Sequence, residues 1–273
     1  MLLRPIPSTG ELMPLIGLGT WKVFDVGTFP SVRAGPKAVL SEFAKRGGTL
    51  IDASPMYGRS EQVIGDLARE LGITDKLFLA TKVWTTGELK GMEQMRESMR
   101  RMGVSRMDLM QVHNLVDVDT HLETLAAWKA EGLVRYVGVT HYTASAHAEV
   151  GRALDRHTVD FLQINYSVVE REVERWLLPM CRERGIAVIV NRPFATGELT
   201  HALRRAPLPP VATELQCGSW GELLLKFVVG HPAITCAIPA TGSVEHLRQN
   251  MAAGNDPLPT ERQRSEIARA ILG

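Results

Sequence analysis

Eight short apolar runs recur along the chain, with segments of helical periodicity between them. Most of the runs are continuously apolar rather than alternating, which is typical of parallel strands buried on both faces. Eight parallel strands with intervening helices are the count of a (β/α)8 barrel, so we predict this α/β fold. The predicted strands are Leu15–Gly19, Leu50–Ser54, Leu77–Val83, Met107–His113, Val134–Thr140, Phe161–Ser167, Ala187–Arg192 and Thr235–Thr241.

Residues at the segment ends predict where individual helices begin and end. In Ser60–Leu71 the apolar residues fall on one helical face, Ser60 can cap the start and Gly72 can close the end. In a later segment, Thr120 begins a capping-box pattern, which predicts a helix start there, and Gly132 predicts its end.

The length of 273 residues suits one barrel, and no linker or repeat divides the chain, so we expect a single domain over residues 1–273. Leu2–Ile6 and Leu12–Leu15 predict a β-hairpin before the barrel. The alternative architecture, a doubly wound sheet, would need a glycine-rich phosphate loop after its first strand. Gly17–Gly19 begins such a loop, but Lys22 stands where the third glycine should be, so the barrel is favoured.

Charge and composition argue against several kinds of partner. The net charge of +1 gives no electrostatic reason to expect nucleic acid or an acidic membrane. No stretch approaches about 18 apolar residues, and the start lacks a secretory signal, so we expect a cytoplasmic protein without a membrane span. Cys181, Cys217 and Cys236 are too few and too widely spaced for a disulfide framework or a zinc site, and we predict free buried thiols.

Polar side chains stand where consecutive predicted strands end. Asp52, Lys82 and His113 lie at the ends of the second, third and fourth strands, and Tyr57 follows on the loop after the second. Neighbouring strands of a parallel barrel bring their carboxyl ends to one face. We therefore predict that these four side chains converge there.

Their convergence would suit proton transfer without a metal. The ammonium of Lys82 would favour the phenolate and lower the pKa of Tyr57, although burial opposes this effect. Asp52 would keep Lys82 charged, and His113 could orient a substrate oxygen. A Schiff-base lyase that uses Lys82 as the nucleophile is an alternative, but a charged partner keeps a lysine protonated and non-nucleophilic.

Four segments carry a resemblance to a known family: Met13–Trp21, Gly48–Tyr57, Ala80–Trp84 and Met107–His113. In this order and spacing the chain resembles the aldo-keto reductases over nearly its whole length. The resemblance implies that the four polar residues above match the family's catalytic tetrad. It also implies hydride transfer from NAD(P)H to an aldehyde or ketone, with NADPH modestly preferred over NADH and with Tyr57 as the proton donor.

The same resemblance implies a cofactor site. Asn191 stands where many members have a tyrosine that stacks on nicotinamide, so this aromatic face is missing, and Arg192 beside it could contact the diphosphate. Ala240 and His246 replace two cations found in many NADPH-preferring members, which leaves Arg248 as the expected reader of the 2′-phosphate. The implied cofactor-binding residues are Gly19, Thr20, Asp52, Thr140, His141, Gln163, Asn191, Arg192, Thr241, Ser243, Arg248 and Asn250.

The substrate is less constrained than the chemistry. The resemblance implies a pocket walled by Trp21 and Trp84 beside Tyr57 and His113. The last predicted helix ends one residue before the end of the given sequence, which predicts an open pocket. We expect a monomer that acts on a small carbonyl compound; the alternative is a catalytically silent NADP-binding subunit or sensor on the same fold.

Overall fold

The computed structural model describes all 273 residues and contains the predicted barrel and hairpin. The hairpin pairs β1 (Leu3–Pro5) with β2 (Leu12–Pro14) in antiparallel register. Eight parallel strands follow in sequential order around the sheet. They are β3 (Leu18–Gly19), β4 (Leu50–Asp52), β5 (Phe78–Val83), β6 (Met107–His113), β7 (Val134–Thr140), β8 (Phe161–Asn165), β9 (Ala187–Asn191) and β10 (Cys236–Ala237).

Helices connect the strands on the outside. The three helices α7 to α9 lie between β9 and β10, and two follow β10. None of the helices is both long enough and apolar enough to cross a membrane. The helices are α1 (Pro30–Lys45), α2 (Ser60–Leu71), α3 (Glu88–Met102), α4 (Val118–Ala130), α5 (His147–Arg156), α6 (Leu177–Glu183), α7 (Glu198–Leu203), α8 (Pro210–Glu214), α9 (Trp220–Val229), α10 (Val244–Ala252) and α11 (Glu261–Leu272).

The predicted strand bounds hold best in the middle of the sheet, where β6 and β7 have the predicted bounds. The first and last strands are only two residues long. Isolated bridges, Ile16 to Ala237 and Gly19 to Ala240, join them instead of a full ladder. The barrel is therefore nearly closed, and its seam lies between β3 and β10.

Two predicted helix caps are wrong. Ser60 is the first residue of α2 rather than its cap, and its hydroxyl donates to Thr20 Oγ1 at 2.7 Å. α4 begins at Val118, before Thr120, with Asp117 at the capping position. Gly72 does close α2 in the left-handed conformation with φ of 63°. Tertiary contacts of the hydroxyl outweigh the local capping preference at Ser60.

The lower part of the barrel interior is an apolar layer that the hairpin covers. Ile6 and Met13 of the hairpin region pack in one cluster with strand residues such as Leu109. Tyr136 of β7 donates from its hydroxyl to Glu11 at 2.6 Å, which ties the hairpin to the barrel. This apolar layer consists of Ile6, Met13, Leu50, Phe78, Ala80, Leu109, Tyr136, Phe161, Ala187, Ile189, Cys236 and Ile238.

Side chains on the same strand faces change from apolar to polar toward the carboxyl ends. Residues two apart in a strand share a face, so Leu109, Gln111 and His113 succeed one another along β6. On β5, Lys82 likewise follows Ala80. The fold thus gathers polar groups above the apolar layer, at the end where the loops after the strands lie.

Candidate active site

A buried ion pair between Asp52 and Lys82 forms the base of the candidate site. Their strands β4 and β5 are parallel neighbours. Lys82 Nζ donates to both Asp52 carboxylate oxygens, at 2.8 and 2.7 Å, and to the carbonyl of Ala53 at 2.6 Å. The lysine side chain is fully buried. Burial lowers its pKa, and the Asp52 carboxylate counteracts that effect. All three ammonium hydrogens have acceptors.

Tyr57 lies directly above this ion pair. Lys82 Nζ is 5.2 Å from the centre of the Tyr57 ring. The ring also meets His113 edge-on, with 6.2 Å between ring centres. The structure therefore brings together the four residues that the sequence placed at the strand ends.

The predicted effect of Lys82 on the phenol is wrong in its net direction. Burial raises the pKa of Tyr57 well above its usual value, and the Asp52 carboxylate raises it further. Desolvation disfavours the phenolate, and the ammonium is already paired with Asp52, so its charge does not dominate at the phenol. Tyr57 is consequently protonated throughout the neutral range, which is the form that a proton donor needs.

His113 faces the same space as a neutral imidazole. Its Nδ1 lies 3.2 Å from Ser54 Oγ. Burial, followed by the charges of Lys82 and His141, lowers its pKa to about 3. The ring can therefore hydrogen-bond a substrate oxygen without carrying a charge at neutral pH.

The depressed pKa of His113 predicts a loss of stability in acid. Between about pH 6.5, the pKa of an unfolded histidine, and the folded value of about 3, only the unfolded chain binds this proton. Stability therefore falls as the pH drops through this window. From pH 7 to pH 5 the contribution of His113 is about 2 kcal/mol. Urea unfolding of His113→Gln should show a pH 7 to pH 5 loss smaller by that amount; an equal loss in both proteins would contradict the neutral buried imidazole.

Buried polar atoms without hydrogen-bond partners lie on β8 and β9, on the other side of His113 and Thr140 from the ion pair. Thr140 lies in register with His113 on one side and Gln163 on the other. Gln163 Oε1 and Asn191 Oδ1 are buried acceptors with no hydrogen-bond partner. Nδ1 of His141 accepts from the backbone N–H of Tyr142 at 3.0 Å, so the neutral ring carries its proton on Nε2. The free oxygens of Gln163 and Asn191 could accept from the amide N–H groups of a nicotinamide carboxamide. The Nε2–H of His141 could donate to its carbonyl oxygen.

Comparison with known proteins identifies the family. The family model described as Aldo/keto reductase family matches residues 15–269. The chain belongs to the aldo/keto reductase family.

The proteins that this chain is similar to include one relative named for NADH and one solved structure that contains NADPH. Methylglyoxal reductase YeaE of Escherichia coli is 29% identical over 274 residues, which cover 97% of this chain and 93% of the relative. An NADH-specific methylglyoxal reductase of the same organism is 25% identical and covers 82% of this chain and 77% of its own length. A crystal structure of an aldo-keto reductase from Klebsiella pneumoniae in complex with NADPH matches at a TM-score of 0.82 and 27% identity, covering 99% of this chain and 96% of that chain.

In this aldo-keto reductase, the residues predicted to bind the phosphate side of the cofactor lie just before α10 or on it. Ser243 caps α10 by accepting from the His246 N–H at 3.3 Å, and Thr241 Oγ1 accepts from the Ser243 N–H at 3.1 Å. Arg248, however, is turned to α1, where its Nε donates to Glu42 at 2.8 Å. The residue predicted to bind the 2′-phosphate is therefore paired with a carboxylate of α1.

Two of the residues implied to bind the cofactor, Thr20 and Gly19, contact Asp52 and the seam between β3 and β10. Thr20 is buried and its hydroxyl donates to the Asp52 carbonyl at 2.8 Å. A side chain at Gly19 would stand 2.6 Å from the carbonyl of Ile238, so only glycine fits between the seam strands. Asn250 is buried on α10.

The two predicted pocket tryptophans lie at the rim. Trp21 and Trp84 are 45% and 43% exposed, and the Trp84 ring centre is 6.4 Å from that of His113. Lys22 places its ammonium 4.2 Å from the Trp21 ring centre. The aldo-keto reductase therefore has exposed aromatic side chains after its first and third barrel strands, one of them beside His113.

Gln111 is a site residue that sequence reasoning missed. Its Nε2 lies 3.4 Å from Asp52 Oδ1, and its Oε1 is buried without a partner. The signal was present: a polar residue interrupts an apolar strand two positions before His113, and therefore on the same face. Gln111 supports the carboxylate of the ion pair from below.

Proposed function

We propose that this aldo-keto reductase uses NADPH to reduce small aldehydes or ketones, with Tyr57 as the general acid. The observation that supports this most directly is the Tyr57 phenol held beside the buried Asp52–Lys82 pair and the neutral His113. When bound, the nicotinamide would supply the hydride. The residues Thr140, His141, Gln163 and Asn191 would hold its carboxamide end.

The protein's part in this reaction is to orient a carbonyl oxygen and to protonate it. A neutral His113 would donate a hydrogen bond to that oxygen, and the protonated phenol of Tyr57 would give up its proton as charge develops there. The Lys82 ammonium would stabilise the phenolate that remains, since Asp52 keeps it charged and in place. Tyr57, whose pKa is raised by burial, and His113, whose pKa is lowered by burial, are in the protonation states that these roles need at neutral pH.

The arrangement disfavours the Schiff-base alternative. A lysine must be neutral and reachable to attack a carbonyl carbon. Lys82 is fully buried beneath Tyr57, and its ammonium donates three hydrogen bonds. We therefore assign Lys82 to the support of Tyr57.

The substrate class that we propose is a small α-ketoaldehyde or similar carbonyl compound. Two relatives carry the name methylglyoxal reductase. The aromatic rim formed by Trp21 and Trp84 is accessible, so the site should also accept larger aromatic aldehydes.

A spectrophotometric panel tests the function. Oxidation of NADPH and of NADH would be followed through the absorbance of the reduced nicotinamide, with methylglyoxal, aliphatic aldehydes, aromatic aldehydes and ketones as substrates. We expect turnover with the aldehydes. Cofactor binding without turnover of any carbonyl compound would favour the silent-subunit alternative and contradict this proposal.

The ion pair between Arg248 and Glu42 changes the expected cofactor preference. Only neutral donors at the start of α10, such as the Ser243 hydroxyl, would meet the 2′-phosphate. Neutral hydrogen bonds contribute about 0.5–1.5 kcal/mol each, so NADPH should bind only about two- to tenfold more tightly than NADH. Arg248→Ala should leave this ratio of dissociation constants unchanged. Loss of the preference for NADPH in that variant would show that Arg248 does bind the 2′-phosphate.

A further inference from the structure

We infer that Ser54 sets the tautomer of His113, so that the imidazole presents an N–H to the substrate oxygen. This makes Ser54 a positioning residue, and it rests on the proposed reduction of carbonyl compounds. A neutral imidazole carries one ring hydrogen, on Nδ1 or on Nε2, and only the nitrogen that carries it can donate. The hydrogen bond that one ring nitrogen makes decides which of the two is protonated. The partner of Nδ1 therefore determines what Nε2 can do.

The contact between these two side chains is buried. Ser54 Oγ lies 3.2 Å from His113 Nδ1, and the serine is fully buried. This is the one hydrogen bond that the ring makes within the protein. Nε2 has no protein partner, yet it is not one of the buried side-chain atoms that lack a partner. Nε2 is thus the ring nitrogen that remains open to a bound substrate.

The hydroxyl hydrogen of Ser54 decides between the two tautomers. Ser54 Oγ accepts from the backbone N–H of Met56 at 3.4 Å, and the acceptor in reach of its own hydrogen is His113 Nδ1. If Nδ1 carried the ring hydrogen, Ser54 would have to accept from it, and the buried hydroxyl hydrogen would have no acceptor. A buried donor without a partner is disfavoured about 5- to 150-fold. The ring hydrogen therefore belongs on Nε2.

The backbone of Ser54 also holds the proposed proton donor. Its carbonyl accepts from the backbone N–H of Tyr57 at 2.9 Å, within the turn after β4. Pro55 follows directly, and a residue before proline is restricted to extended conformations. Ser54 consequently bonds Tyr57 through its backbone and His113 through its side chain.

NMR of isotope-labelled histidine nitrogens tests the tautomer directly, because protonated and unprotonated ring nitrogens differ in chemical shift. The spectrum of His113→Ala identifies the His113 signals among those of the eight histidines. At neutral pH, and without cofactor, Nε2 should carry the hydrogen in about four-fifths of the molecules or more. A smaller share would overturn the inference.

Ser54→Ala removes the hydroxyl and should lower the ratio of the Nε2–H to the Nδ1–H tautomer about fivefold or more. Ser98→Ala is the matched control. Ser98 is a similarly buried serine on α3, and its hydroxyl has no hydrogen-bond partner, so this variant should keep the wild-type ratio. An unchanged ratio in Ser54→Ala, or an equal change in Ser98→Ala, would show that Ser54 does not set the tautomer.

Kinetics test whether the tautomer matters for the reaction. Ser54→Ala should lower kcat about twofold or more, because fewer molecules then carry the hydrogen on Nε2. The dissociation constant of NADPH should stay the same. In a His113→Ala background the same substitution should cause no further loss, since its effect passes through the imidazole. An equal loss without His113 would overturn the positioning role.

The NMR measurement needs neither cofactor nor turnover, so it is independent of the proposed function. A protein that reduces carbonyl compounds while His113 keeps its hydrogen on Nδ1 would contradict this inference alone. A protein that shows the expected tautomer and its change in Ser54→Ala, but reduces nothing, would contradict the proposed function alone.

Discussion

Tyr57→Phe should reduce carbonyl turnover by about 10²-fold or more while leaving the dissociation constant of NADPH within about twofold. The substitution removes one oxygen atom and keeps the ring that packs edge-on against His113. The proposed carboxamide contacts lie on β7 to β9, away from this loop. Steady-state kinetics and quenching of tryptophan fluorescence measure the two quantities separately.

Tyr142→Phe is a matched control for this substitution. Tyr142 is a half-exposed tyrosine near the same face, and its ring stacks on His141 rather than lying over Lys82. Loss of its hydroxyl should leave turnover nearly unchanged. If Tyr57→Phe retained more than about a tenth of the wild-type rate, the phenol would not be the proton donor.

Lys82→Met should abolish most activity at every pH and also destabilise the fold. It leaves the buried Asp52 carboxylate without its partner, and breaking a buried pair in this way costs about 3–5 kcal/mol. An unpaired negative charge would raise the pKa of Tyr57 further, so any residual activity should shift to higher pH. Urea unfolding and a pH–rate profile measure the two effects.

A double variant separates the chemical from the structural role of Lys82. Asp52→Asn combined with Lys82→Met removes both charges and should regain much of the lost stability. Turnover should remain low, because no cation is left to stabilise the phenolate. Recovery of activity together with stability would show that Lys82 acts only by holding the barrel together, and an unchanged pH–rate profile in Lys82→Met would count against its coupling to Tyr57.

The sequence predicted the convergence of Asp52, Lys82 and His113 because it depends only on strand order and strand ends. Buried parallel strands are clear in composition, and adjacent strands must share a face of the barrel. β6 and β7 have the predicted bounds for this reason. The bounds of the first and last barrel strands were harder to predict, because β3 and β10 pair through isolated bridges rather than a continuous ladder.

Features set by distance were not predictable in this way. The pKa of Tyr57 depends on how burial compares with two opposite charges a few ångströms away, and sequence order does not contain that comparison. Arg248 pairs with Glu42, a residue 206 positions earlier in the chain. No local sequence pattern indicates that Arg248 pairs with a residue so distant in the chain.

The apolar layer beneath the ion pair has a consequence for where protons come from. The hairpin covers the lower end of the barrel, and large apolar side chains such as Phe78 and Phe161 fill the layer above it. If Tyr57 is the proton donor that we propose, its proton would return from the upper mouth, past Trp21 and Trp84. Tyr57 could then be reprotonated only after the alcohol product has left the site. Product release would therefore limit how soon the next catalytic cycle can start.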